Sequence, residues 1–551
     1  MNWKKRSAAK TVNEAIEASS GCSANDLLNP ITGTPEEIGG LQKVAKLISE
    51  ATSSGVRITI MGDYDADGVT SSAILYLLLT RLGATTDIRL PHRMSEGYGL
   101  SPAIVDEIIE KNPKGLLITV DNGISAYDAV KHAKDSGMTV AILDHHLASG
   151  KLPLADAIVD QHIDEIAAAD GQEIGFRDYC GAGLAYKLAE YMISDKSTAS
   201  SLFLKKLSAL AAVGTVADVV PIQGDNRIIV NDGLDAINHG DVTCGLKSII
   251  QAFNLEKVNS MDIGFKIAPA LNASGRLSDD GARLPCAILA ADKQLVLNHA
   301  MKLVDINKKR KEMVEEQFTR IELTLPSPPP MPIVIFDEHV HEGIAGIIAG
   351  KLSEKYGVPS FVLTKAENGD WKGSARTAGD TNIKERMDLC TDAMIGYGGH
   401  AGAAGLRIAA GKEEQFKNLV AKAFIGADRV DTSALWYDLE VDEAEVVSTY
   451  DEIQKFQPFG EGCKEPVVRI NHCHLIQNKN GRYVFEMGPL KNHAKFSCTG
   501  FVVVAFSQAQ KYKELGEPEV IDAVGHISLN ESKWGTVIQL IADDIAVSVM
   551  N

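Results

Sequence analysis

The stretch "MGDYDADGVTSS", residues 61–72, places Asp63, Asp65 and Asp67 on alternate positions and closes them with Gly68. Carboxylates so spaced hold hard cations. An EF-hand loop has this beginning and needs a bidentate Glu at its twelfth position, which counted from Asp63 is Ile74. The run before the aspartates, "GVRITIM" at 55–61, is β-branched and apolar, so it predicts a buried strand rather than the entering helix of a calcium loop. The carboxylates therefore sit where a strand ends. "GLLITV" likewise runs into Asp121, "MTVAIL" runs into Asp144, His145 and His146, and an apolar helical segment leads to Asp218 in "GTVADVVPI". Each Asp alone reads as a helix N-cap. Together they put carboxylates and imidazoles on one rim, where they repel one another unless divalent cations neutralise them. Oxygen donors with imidazole and no thiolate suit Mn²⁺, with Mg²⁺ possible. Two such ions about 4 Å apart clamp a phosphoryl group and generate a hydroxide nucleophile, so the expected chemistry is phosphoester hydrolysis.

The elements that must position these groups are legible as a pattern. From about 56 to 240, "VRITIM", "TTDIRL", "GLLITV", "MTVAILD" and "DAIVD" alternate with helix-length segments, which predicts a parallel, doubly wound α/β domain with ligands at the carboxyl ends of its strands. The segment 295–325 has helical spacing, and "LPSPPPMP" at 325–332 stops it. "PIVIF" and "SFVLT" begin a second α/β unit, and after 430 short strands such as "EPVVRINHCHLI", "GRYVFEM", "FVVVAF" and "EVIDAVGHISL" suggest a small all-β barrel or sandwich. The expected division is a lead segment over 1–50, a catalytic domain over 51–285, a connecting helix over 286–325, a substrate-binding domain over 326–430 and a β domain over 431–551.

Composition narrows the class. With 551 residues the chain exceeds one core, and 45% apolar with 23% charged residues is ordinary globular composition. The net charge of −18 repels polyanions as a whole-molecule field but leaves a local groove open. The basic run "NKKRK" at 307–311 reads as a solvated helix face. Eight cysteines are scattered and never form C-x-x-C, which argues against a disulfide framework and a zinc ribbon. His472 and His474 are two potential ligands without two more, and so read as a strand surface. No run approaches about 20 uninterrupted apolar residues and no secretory signal opens the chain, so a cytoplasmic protein without membrane contact is expected.

In order and spacing, "DYDADG", "VDNG", "LDHH" and "GTVADVVP" resemble the four motifs of the DHH phosphoesterase superfamily, and more narrowly those of the RecJ exonuclease family. "YCGAGLAYKLAE", "LNASGRLSD", "HEGIAGIIAGKLSEKYGVPSFVL", "KGSAR", "GYGGHAGAAGL", "QPFGEG" and "WGTVIQLIADDI" extend the resemblance over roughly residues 56 to 546. It implies a DHH parallel-sheet domain and a DHHA1 domain joined by a long helix, with a C-terminal OB-like β domain. It implies that Asp65, Asp67, Asp121, His145 and Asp218 ligate two metals, Asp121 bridging them, and that Asp63 is a ligand or supports one. Met61 stands where some relatives carry His. By the same resemblance His146 faces substrate, positioning phosphate or protonating the leaving oxygen, and Asn272, Arg276, Ser374, Arg376, Gly399 and His400 contact the strand, with Arg276 at a 5′-terminal phosphate. Arg supplies bidentate phosphate recognition, and glycines let backbone N–H groups approach phosphate closely. Without the resemblance, Arg276 reads as an ion pair with Asp279 or Asp280.

The implied activity is 5′→3′ exonuclease action on single-stranded DNA, releasing 5′-mononucleotides in repair or recombination. A helicase or single-strand-binding protein is an expected partner, and a monomer the expected state. Phe485, Phe501, Phe506 and Trp534 are candidate base-stacking residues of the β domain, although "DLEVDEAEV" makes that domain acidic enough for partner binding instead. Three alternatives stand beside this reading. A DHH phosphodiesterase for short oligonucleotides or cyclic dinucleotides shares the metals but is typically shorter. A HAD-type phosphatase would use Asp65 as nucleophile, yet Gly62, Asp63 and Tyr64 interrupt the strand it needs. A non-catalytic replication scaffold resembling Cdc45 would have lost ligands that this chain keeps.

Overall fold

The computed structural model describes residues 2–148, 150–164, 175–195, 197–532 and 535–548. Its first sheet has five strands, all parallel, in the spatial order Thr86–Arg89, Ile58–Met61, Leu116–Val120, Thr139–Leu143, Ala157–Val159. All five were legible as β-branched apolar runs. The three inner strands are buried on both faces, as helices on each side of a parallel sheet require, whereas Ile158 on one edge strand and all of Thr86–Arg89 on the other are half-buried. The chain order reverses between Ile58–Met61 and Leu116–Val120, so the crevice at this switch point is where such a sheet binds ligands.

One flank is built from the helices Ala66–Arg81, Gly181–Met192, Thr198–Ala217 and Gly224–His239, which pack on one another. Thr198–Ala217 is the one helix among the described residues that is long and apolar enough to cross a membrane; 56% of that stretch is buried within the protein. The 26-residue helix Leu297–Glu322 then leads into a second sheet, in the order Met394–Gly399, Ala403–Ile408, Trp371–Arg376, Ser360–Lys365, Ile333–Phe336. Only its last pair is parallel. The proline-rich stop at 325–332 falls between that helix and the first strand of this sheet.

The C-terminal body is a mixed seven-stranded sheet with two short helices, Val446–Gln454 and Ala509–Glu514. The first 28 residues join it: Val12, Ile16 and Leu27 share its core, and Trp3–Lys5 pairs in parallel with Leu435–Tyr437. The helix Leu41–Ser53 packs instead in the core of the first domain. Of the candidate stacking aromatics, Phe501 is buried, Phe485 and Phe506 are exposed, and Trp534 lies outside the described residues.

Arg227 fastens the first domain to this body. Its side chain is 2% exposed, and its guanidinium donates to the carbonyls of Phe456, Gln457 and Pro458 at 2.7, 2.9 and 3.1 Å. Gln223 donates to Gly462 O at 2.6 Å, and Ser260 to Phe459 O at 2.6 Å. The "QPFGEG" loop is therefore held by the catalytic domain. Arg227→Met leaves buried carbonyls unpaired and is expected to lower stability by about 3 kcal/mol, read as a lower urea midpoint. An unchanged midpoint contradicts the role given to this residue.

Candidate active site

The sheet's register assembles the rim. Met61 pairs with Thr119, Val120 with Leu143, and Leu143 with Val159, so the parallel strands bring Asp63 level with Asp121, and Asp121 level with Asp144. Asp65 caps the helix Ala66–Arg81, accepting from Gly68 N–H at 3.0 Å. Asp67, in the first turn of that helix, accepts from Gly181 and Ala182 N–H at 2.6 and 2.9 Å, at the N-terminus of the helix Gly181–Met192. Residue 181 must be glycine, because a Cβ there would lie 2.7 Å from Asp121 Cβ and 3.0 Å from Asp67 Oδ2. Asp218 ends the helix Thr198–Ala217 and turns its carboxylate into the same space.

The ligand atoms form interlocking groups, within each of which they lie inside 4.8 Å of one another: Asp67, His145 and Asp218; Asp63, Asp65 and Asp121; and Asp121, His145 and His146. His145 Nε2 lies 3.0 Å from Asp121 Oδ1 and 3.7 Å from both Asp67 Oδ2 and Asp218 Oδ2. Asp121 holds a left-handed φ of 60°, a conformation that costs a non-glycine residue about 1 kcal/mol and collects at functional sites. The Tyr98 hydroxyl donates to its carbonyl at 2.8 Å and lies 3.0 Å from His146 Nδ1.

The electrostatics fit divalent cations. Burial, then Asp65, pushes the Asp67 carboxyl up to about 6. Burial and neighbouring aspartates also drive Asp63, Asp121 and Asp218 well above the carboxylate range. Asp63 Oδ2 is buried without a partner, an acceptor that a cation would satisfy. His145 is pushed down to about 3 by burial and by His146 beside it, so it stays a neutral imidazole, the form that ligates metal. His146 differs. Burial lowers it, but the 2.8 Å contact to Asp144 outweighs this, and it rises to about 9. Asp144 accepts from Ile124, His145 and His146 N–H and from the His146 ring, so its role is to orient the pair. Met61 points away from the rim, into an apolar cluster with Leu100 and Ile104.

Beside the rim a cavity of about 210 Å³ opens between the two α/β domains. Tyr64, Arg93 and Arg276 line it from one side, and Lys372, Ser374 and Arg376 from the other. Arg276 makes no ion pair with Asp279, which accepts from Met94 and Ser95, or with Asp280, which pairs with Arg283. Burial, then Arg93, Arg310 and Arg376, pulls Arg276 down to about 9 against the opposing pull of Asp65, and the one carboxylate in the cavity lining, Glu342, pairs with Lys372. Gly346 leaves room for Arg376, whose Nη2 would lie 2.9 Å from a Cβ there.

The structure does not bring every expected residue to these two places. Asn272 Oδ1 accepts from Ala66 N–H at 2.9 Å and so fixes the start of the aspartate-bearing helix. Gly399 and His400 sit exposed at the turn between Met394–Gly399 and Ala403–Ile408, outside the cavity lining. Conversely, Arg93 and Tyr98 were not singled out from sequence. Both come from the loop "HRMSEGYGL", which carries no periodicity, although its Gly-rich composition marks a loop close to the rim.

A parallel sheet with acids and a His pair along its switch-point rim, followed by a second α/β domain across a cationic cleft, defines a phosphoesterase of the DHH–DHHA1 class. Models of the DHH family N-terminal domain, the DHHA1 domain and the RecJ OB domain match residues 57–215, 331–425 and 437–544. The chain belongs to the RecJ family. It is 33% identical to the single-stranded-DNA-specific exonuclease RecJ of Salmonella typhimurium over 95% of this chain and 93% of that protein, and 33% identical to Escherichia coli RecJ over 72% and 70%. The crystal structure of Thermus thermophilus RecJ in complex with Mn²⁺ superposes with a TM-score of 0.76 at 26% identity, covering 97% of this chain and 76% of that one.

Raised carboxyl pKa values stabilise the metal-free fold at low pH, and for Asp67 that contribution is lost as pH climbs through about 6. Metal binding removes the repulsion. The gain in Tm on adding Mn²⁺ to chelator-stripped protein is therefore expected to be several degrees larger at about pH 7.5 than at about pH 5. An equal gain at both contradicts the charge assignment.

Proposed function

We propose that the chain is a metal-dependent 5′→3′ exonuclease that hydrolyses single-stranded DNA to 5′-mononucleotides in repair or recombination. The observation that carries this reading is the adjacency of the acidic rim and the cationic cavity: one suits two divalent cations, the other a terminal phosphate. Asp67, His145 and Asp218 would hold one Mn²⁺ and Asp63, Asp65 and Asp121 a second, with Mg²⁺ as a substitute. When bound, the ions neutralise the phosphoryl oxygens and lower the pKa of the attacking water.

The chain's own residues supply the rest. Arg276, Arg376 and Arg93, with Ser374, hold the 5′-phosphate, and that anchorage sets polarity. His146 carries a proton at neutral pH, Asp144 fixes its ring, and it protonates O3′ as the P–O3′ bond breaks. The product is a 5′-mononucleotide, and the shortened strand again begins with a 5′-phosphate that fits the cavity. A cleft lined from both domains admits one strand, so a helicase or single-strand-binding protein would supply the substrate.

Asp121→Asn is expected to lower hydrolysis by on the order of 10³-fold or more while leaving the circular dichroism spectrum unchanged. Retained hydrolysis contradicts the two-ion assignment. With end-labelled strands in Mn²⁺, loss from the 5′ end is expected, faster with a 5′-phosphate than a 5′-hydroxyl. Arg276→Gln is expected to reduce that preference by about tenfold. Loss from the 3′ end, or cleavage confined to a dinucleotide, moves the chain to another activity.

A further inference from the structure

The row of acids along the rim does not end with Asp144. Leu143 pairs with Val159 and Asp144 N–H donates to Val159 O at 2.9 Å, so Asp160 is the next acid in the row, one residue past the fifth strand. Asp144 is saturated by four donors, and Asp63 and Asp121 belong to the catalytic groups, but Asp160 has no role so far. It is fully buried. Its Oδ1 accepts from His162 N–H at 2.9 Å, while Oδ2 has no partner. Gln161, 1% exposed, has neither Oε1 nor Nε2 paired, and His162 Nδ1 is buried and unpaired as well. Three consecutive residues thus carry four buried polar atoms without partners among the described residues. Native interiors satisfy such atoms with protein, water or an ion. Arg177 does not, because it donates to the Gln161 carbonyl at 3.3 Å and pairs with Asp164 at 2.7 Å.

The spacing of the pair favours a cation over a water. His162 Nδ1 lies 3.8 Å from Asp160 Oδ1. A water bonded to both at about 2.8 Å and a tetrahedral angle would hold them about 4.6 Å apart. An ion bonded to both at about 2.1 Å would hold them about 3.4 Å apart. The observed gap lies nearer the second figure and repeats the 3.7 Å between His145 Nε2 and its two flanking aspartates at the catalytic rim.

We propose that Asp160 and His162, completed by the Gln161 amide oxygen, form a third cation site, distinct from the catalytic groups, that takes a divalent ion such as Zn²⁺ or Mn²⁺. Carboxylate, imidazole and amide oxygen without thiolate suit both ions, and Zn²⁺ binds the tighter of the two. The ion neutralises the outer end of the acid row, next to the Asp144 that orients His146. This inference does not depend on the exonuclease reading, since its test counts ions.

The test is anomalous diffraction at the metal edge from crystals of the full wild-type chain, stripped with chelator and soaked in Mn²⁺ or Zn²⁺. A peak within bonding distance of both the Asp160 carboxylate and His162 Nδ1 is expected, besides those at the rim. A non-anomalous water there, or no density, overturns the proposal. In solution, Asp160→Asn with His162→Gln is expected to lower the bound metal by one equivalent in equilibrium dialysis, whereas Asp121→Asn retains that equivalent. A double variant that folds and binds as much metal as wild type overturns it too.

Discussion

The constraint on which this structure turns is the repulsion among carboxylates gathered at one edge of a parallel sheet. Asp63, Asp67 and Asp121 are each no more than 2% exposed, and none has a Lys or Arg within ion-pairing distance among the described residues. Such a cluster is costly unless protons or cations enter it. Protons enter as pH falls, which the raised pKa values of all three express. Divalent cations at neutral pH would relieve the repulsion as well and bring the chemistry of phosphoryl transfer with them.

The scaffold tolerates the cluster by presenting positive backbone ends to it. Asp67 sits on the first two N–H groups of one helix, Asp65 caps another, and glycine at 181 lets the first helix approach closely. Across the cleft the balance is inverted, since Arg93, Arg276 and Arg376 form no ion pair with a carboxylate among the described residues, and burial with mutual repulsion pulls Arg276 down. Divalent cations in the rim and an anionic strand against the arginines would together resolve both imbalances. This explains how a chain of net charge −18 can engage a polyanion: the global field is acidic, but the contact region is not.

Much of this was legible in the sequence because the signals were local. β-branched runs marked the five strands, and acids at their carboxyl ends marked the rim. Proline at 325–332 marked the break between the α/β domains. What escaped was long-range. Nothing in "WKK" at 3–5 announces its pairing with Leu435–Tyr437, and nothing in Arg227 announces three carbonyls some 230 positions away. Arg93 and Tyr98 escaped because an aperiodic loop gives no face on which to place them. Asn272 was legible as important but not as a backbone anchor, since its acceptor role depends on Ala66, two hundred residues earlier.

Proton release on metal binding tests the central constraint most directly. Mn²⁺ is titrated calorimetrically into chelator-stripped protein near pH 6 in buffers of different ionisation enthalpy. The apparent binding enthalpy is expected to vary with buffer, with a net release of one or more protons, because carboxyls held protonated by mutual repulsion must ionise to bind metal. An enthalpy independent of buffer would show that the aspartates are already ionised in the empty site, and would contradict the account.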